Sequence, residues 1–233
     1  IGQPIFGAIA EKYGDRKAII LGIVLYAVGL ALSAVAITPG QHNLLEVLVG
    51  FGVAGTGFGV ILAIVGRASS DENRSLSLGI ATAAGSGGQI VGPPVVAALL
   101  AVMSWQSVFL IMAGVILAAL FFLPMLRAPA RATKAELEES LSEIVGKALR
   151  DPSFTLIFVG FFSCGYQLGF ITAHFPAFVT EVCGPISPGT ILHDIGITTT
   201  SALGAWAMAL IGVANIAGTI YAGWLGARVP KKY

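Results

Sequence analysis

The chain has 233 residues, 56% hydrophobic and 11% charged, with a mean hydropathy of +0.87. Soluble domains carry about 25% charged residues, so this composition excludes most cytosolic enzymes, nucleic-acid binders and disordered tails. The net charge of +1 implies no strongly acidic or basic partner, and 30 glycines suit closely packed helices in a bilayer.

Residues 1–10 read as the tail of an apolar span, and a charged turn, Glu11-Lys12-Tyr13-Gly14-Asp15-Arg16-Lys17, follows it. Six complete apolar segments then reach the length of about 20 residues that a bilayer crossing needs. They are A (18–37), B (44–66), C (76–101), D (106–126), E (154–180) and F (202–226). Segment A is apolar apart from Tyr26 and Ser33. Segment B carries Glu46 near its start and a cluster of Gly52, Gly55, Gly57 and Gly59, whose spacing predicts close helix packing. In C, Pro93-Pro94 predicts a kink or a tilt, while D is almost purely apolar.

Between D and E lies the one sizeable loop, 127–151. From Lys134 to Arg150, apolar Leu137, Leu141, Ile144, Ala148 and Leu149 recur at helical spacing among Glu136, Glu138, Glu139 and Glu143. That pattern predicts an amphipathic helix on the membrane surface or a solvated linker. Segment E holds Cys164 and Cys183, which as a helix would stand about 28 Å apart, too far for a disulfide.

All 13 Lys and Arg fall on alternate connections: before A, between B and C, between D and E, and after F. The intervening connections, 38–43, 102–105 and 181–201, contain none. This asymmetry places the basic loops in the cytoplasm. The chain begins and ends in mid-pattern, and a piece of a longer protein is expected.

Residues 1–17 and 217–233 align without gaps, Gly2 with Gly218, Gly7 with Gly223, Lys12 with Arg228 and Arg16 with Lys232. An offset of six spans suggests two parallel halves related by an axis along the membrane normal. Here the chain resembles the major facilitator superfamily. Gly7-x-x-x-Glu11-Lys12-x-Gly14-Asp15-Arg16-Lys17 is similar to the signature loop between that family's second and third helices, with Asp15 where a basic residue is usual. The resemblance implies an all-α membrane bundle, running here from the end of the second helix to the end of the eighth. Its parts would be 1–126 (end of the N-terminal half), a central cytoplasmic loop at 127–151, and 152–233 (start of the C-terminal half). Gly88-x-x-x-Gly92-Pro93 looks like the core of an antiporter motif, without its closing glycines. Residues 74–83, 173–178 and 212–223 resemble the bacterial monocarboxylate branch, although Glu46 stands where many proton-coupled members have an arginine and F has none.

Polar groups in hydrocarbon are either interhelical glue or the lining of a pathway. Ser163, Gln167 and His174 share one face of E; Thr82, Ser86 and Gln89 share one face of C; Asn215 and Thr219 are one turn apart in F. Thr56, Gln89, Tyr166, Gln167 and Asn215 fall near mid-depth, where such transporters bind substrate. With Ser86 they are the candidate substrate-binding residues. His174 and Glu46 are the candidates for proton coupling, with an interfacial or packing role as the alternative. Gly7, Glu11, Gly14, Asp15, Arg16, Arg67 and Arg74 form the candidate gating loop.

The expected function is secondary transport of a small solute by alternating access, with the resemblance implying a monocarboxylate or other organic anion and a proton partner. Exchange or drug efflux is the alternative, and a receptor or membrane-embedded enzyme is the rival class. No cofactor, metal, nucleic acid or nucleotide-binding loop is expected. The setting expected is a bacterial inner membrane, as a monomer.

Overall fold

The computed structural model describes residues 2–126, 146 and 150–229. The amphipathic stretch at 134–150 therefore lies almost wholly outside the described residues, as do Lys231 and Lys232. Helices account for nearly all of the rest: α1 (Gly2–Tyr13), α2 (Asp15–Ser33), α3 (Pro39–Thr56), α4 (Phe58–Ala68), α5 (Arg74–Val102) and α6 (Trp105–Ala118), which runs into a 3-10 turn at Ala119–Met125. After the central loop come α7 (Pro152–Cys183), a short α8 (Ile191–Asp194) and α9 (Thr200–Arg228). Among the described residues, six stretches are long and apolar enough to cross a bilayer, with α3–α4 counted as one and α6 with its 3-10 turn as another.

The ends of these helices follow local chemistry. Thr38 and Gln41 form a capping box, in which the Gln41 backbone N–H donates to Thr38 Oγ1 (3.3 Å) and the Thr38 N–H to Gln41 Oε1 (3.0 Å). With Pro39 at the first helical position, this starts the crossing five residues earlier than the apolar run of segment B. Asp151 caps α7 by accepting from the Ser153 N–H at 2.8 Å.

Segment B is not one continuous helix. At Gly57 the backbone turns extended (φ −83°, ψ −174°), and a Cβ there would lie 2.7 Å from the Val53 carbonyl oxygen. Segment D likewise tightens into a 3-10 turn where Pro124 can donate no N–H and its ring crowds the preceding turn. By contrast α5 stays helical through Pro93 and Pro94.

The chain forms two compact units: Ile1–Pro129 with Ala209–Tyr233, and Ala130–Met208. In the first, α2 and α3 lie antiparallel, with Gly22 against Gly55, Tyr26 against Gly52 and Gly29 against Val49. A Cβ on Gly22 would stand 2.8 Å from the Gly55 Cα, so the two backbones touch. Phe6, 2% exposed, lays its ring against Gly55, and Ala10, Ala18, Ile19, Ile23, Ala54, Val60 and Ile64 close around it. The expected packing role of the glycine cluster is thus met at Gly52 and Gly55, while Gly57 makes the break. In the second unit α9 packs on α7 through Gly204 and Pro176, and both thiols, Cys164 and Cys183, are free and exposed.

Candidate functional site

At the basic end of the first unit, α1 hands over to α2 through Gly14, whose φ of 98° suits glycine. The turn buries Asp15, its side chain 4% exposed, against the end of α4, where Arg67 Nη2 donates to its carboxylate at 2.8 Å. Arg16 points the other way. Its guanidinium donates to the carbonyls of Leu126 (2.7 and 3.1 Å) and Pro124 (3.4 Å), satisfying the 3-10 end of the α6 crossing. Arg74 donates to the Gly66 carbonyl at 3.1 Å and pairs with Asp71 at 2.8 Å, bracing the short connection between α4 and α5. The candidate gating residues therefore tie α2, α4 and the end of the α6 crossing into one charged plate. Asp15, which stands where the resembled loop usually has a basic residue, is paired here with the basic Arg67. Gly7 has open space where a Cβ would be, and the side chain of Glu11 lies outside what the structure describes.

A second cluster lies at mid-depth. There Asn215 Nδ2 of α9 donates to Gln89 Oε1 of α5 at 3.3 Å. One turn toward the basic end, Ser86 is buried, and Gly212 approaches so closely that a Cβ would sit 3.0 Å from the Ser86 carbonyl. From here the two helices stay in contact to their basic ends. A Cβ on Gly79 would meet the Thr219 carbonyl at 2.7 Å and the Gly223 Cα at 3.1 Å, and one on Gly223 would meet the Ser75 carbonyl at 3.0 Å. The contacting positions recur at heptad-like spacing, 75, 79 and 86 on α5 and 212, 219, 223 and 226 on α9. Thr82 and Thr219 return their hydroxyls to their own helices, at Leu78 O (2.9 Å) and Asn215 O (2.7 Å).

Within the first unit, Thr56 and Glu46 are placed apart from this pair. Thr56 donates to the Gly52 carbonyl at 3.2 Å and borders a separate apolar cavity of about 270 Å³ with Ile23, Tyr26, Ile61 and Ile116. Glu46 is exposed near the start of α3. Tyr166, Gln167 and His174 are exposed along α7 in the second unit, where Tyr166 stacks on Phe170 and Phe170 on His174. Of the six candidate substrate-binding residues, the structure brings Ser86, Gln89 and Asn215 together. Sequence reasoning missed the Arg16 clamp, Phe170 and the glycine seam; the heptad spacing of small residues in C and F was the signal for the last.

The whole chain, residues 1–233, matches the profile of the Major Facilitator Superfamily. The chain belongs to this family. With six crossing-length stretches, it is an integral, multi-pass membrane protein of all-α, major-facilitator type. It is similar to Multidrug resistance protein 3 of Bacillus subtilis, 26% identical over 52% of this chain and 24% of that protein. It is also similar to the methyl viologen resistance protein SmvA of Salmonella typhimurium, 29% identical over 48% of this chain and 22% of that protein. The vesicular acetylcholine transporter unc-17 of Caenorhabditis elegans is 25% identical over 91% of this chain and 43% of its own length. The chain thus spans less than half the length of these curated relatives. The family and the relatives' names agree with a membrane transport protein rather than an enzyme.

Proposed function

We propose that this chain is part of a secondary transporter that moves a small organic solute by alternating access, with its basic loops in the cytoplasm. The halves that move are 1–126 and 152–233, joined by the loop 127–151. One observation carries the reading: the Gln89–Asn215 hydrogen bond at mid-depth. It links a helix of one proposed half to a helix of the other, at the depth where a bound solute has to come between them. Ser86 belongs to the same cluster; Tyr166 and Gln167 on α7, and Thr56 on α3, are further proposed substrate contacts, each on its own element. Protons are the proposed coupling ion, with His174 and Glu46 as the groups that carry them.

Two modes follow from different features. The stretches 74–83, 173–178 and 212–223 support uptake of a monocarboxylate or related anion with a proton. Gly88-x-x-x-Gly92-Pro93, together with relatives named for multidrug and methyl viologen resistance, supports exchange of an organic solute for protons. We favour exchange, because no apolar segment carries a Lys or Arg to receive a carboxylate. The proposed setting is a bacterial inner membrane, with the protein acting as a monomer.

The test is flux in proteoliposomes of the full-length protein, with lactate, a neutral metabolite and methyl viologen as probes, each with and without a proton gradient. Methyl viologen movement against the proton gradient supports exchange. Lactate uptake accelerated by an inward gradient replaces that reading with symport. No gradient-dependent flux of any probe removes the proton from the proposal.

A further inference from the structure

Helix α7 carries a face that the transport reading uses only in part. At 100° per residue, Ser163, Gln167, Phe170, His174 and Glu181 fall within roughly 60° of one another, and Tyr166 adjoins them. Serine and glutamine in hydrocarbon turn toward the bundle or a cavity rather than toward lipid, so this face looks inward. On it the rings form a ladder. Tyr166 and Phe170 stack at 6.3 Å with 24° between their planes, and Phe170 meets His174 at 4.9 Å with 43°. The ladder spans about 12 Å along the helix axis. Within the second unit the contact with α9 is made on the opposite side of α7, where Gly204 packs on Pro176 and Val179 is buried.

The charge pattern points to the occupant. Along the whole path from the basic ends to the other side of the membrane this chain offers no Lys or Arg, whereas Glu181 stands at the far end of the same α7 face. Ring faces attract cations and repel anions. We propose that the Tyr166–Phe170–His174 face of α7 is a binding rail for an organic cation, one carrying its charge on alkyl or aryl groups, with the Glu181 carboxylate at its outer end drawing that cation in. The Tyr166 and Phe170 rings offer such an ion attraction without the tight grip of a buried ion pair, and successive rings let it move along the helix. The rail rests on the transport reading for its purpose, but binding to it does not require transport.

The experiment uses two probes of one shape and opposite charge, tetraphenylphosphonium and tetraphenylborate, with equilibrium binding to the purified full-length protein. The phosphonium should bind saturably and the borate should not displace it. Phe170→Leu should weaken phosphonium binding about tenfold, from the loss of one ring and the break in the ladder, and Tyr166→Leu should weaken it in the same direction. Phe170→Tyr, which keeps the ring, should retain it and shows that the loss is not misfolding. Equal or tighter binding of the borate overturns the cation assignment. Unchanged phosphonium affinity in both leucine variants, or no binding of either probe, overturns the rail. Binding that responds to the variants without any flux in proteoliposomes upholds the rail and removes the transport reading. Phosphonium flux that ignores both variants does the reverse.

Discussion

Asp15 is the residue whose surroundings most change its meaning. Its carboxylate is buried against Arg67, whose side chain is 32% exposed, so the pair is neither a free surface contact nor a dry interior one. Removing the acid leaves a partly buried guanidinium short of a partner; because Arg67 still sees solvent, the expected cost is about 1–2 kcal/mol. Asp15→Ala should lower the thermal unfolding midpoint of the full-length protein, and exchange of the two charges, Asp15→Arg with Arg67→Asp, should restore part of the loss. Gln89 and Asn215 are a milder case. Interhelical hydrogen bonds in bilayers contribute about 0.6 kcal/mol on average, so a double-mutant cycle of Gln89→Leu and Asn215→Leu should give a coupling of about that size. A role in substrate binding would add an effect that stability alone does not show: a raised half-saturation constant for transport in both single variants. Neither pairing could be read from sequence. Arg67 and Arg74 stood equally ready for Asp15, and shared depth made Thr56 look as good a neighbour of Asn215 as Gln89 is.

Among the elements, spans were legible and their ends were not. Hydrophobicity finds the bilayer-length stretches because the bilayer sets their length, but caps set where helices begin. The Thr38–Gln41 box is a capping signature in the sequence, but it lies outside the stronger apolar signal, which starts at Leu44. The glycines of segment B look alike in the sequence, yet they do different things. Gly55 lets Phe6 and α2 approach, Gly57 breaks the helix, and Gly50 has open space around it. Gly55→Leu should therefore abolish stable expression or cost about 3 kcal/mol or more through overpacking, whereas Gly50→Ala should be neutral or slightly stabilising through helix propensity. Relative melting of the two variants in detergent tests both.

For the whole molecule, the decisive feature is the antiparallel seam between α5 and α9. Gly79 and Gly223 bring their backbones together near the basic ends, and beside them a Cβ on Gly226 would stand 3.6 Å from the Ser75 Cβ, a spacing a disulfide can bridge. Ser75→Cys with Gly226→Cys should cross-link under mild oxidation in the full-length protein. If the two proposed halves part at this side during transport, the cross-link should stop flux and a reductant should restore it. Cross-linked protein that transports normally would show that the seam stays shut throughout. The spacing of small residues marks a packing face on each helix, but which helix meets which was outside the reach of local patterns, since the partners are separated by more than a hundred residues. The six-span period and the charge asymmetry instead conveyed the bundle type.

The break at Gly57 has a mechanical consequence. A continuous helix is a rod, and a push at one end arrives at the other. Here the α3 part of the crossing is married to α2 through shared glycines, while the α4 part leans on α5 and is pinned by Arg67 to Asp15. The Thr56 hydroxyl supplies the carbonyls of Gly52 (3.2 Å) and Val53 (3.4 Å) just where the ladder of the helix is interrupted. One crossing therefore works as two short levers with a lubricated joint between them, each answering to a different neighbour. A tilt of α5 is expected to move the α4 part while the α3 part keeps its place against α2.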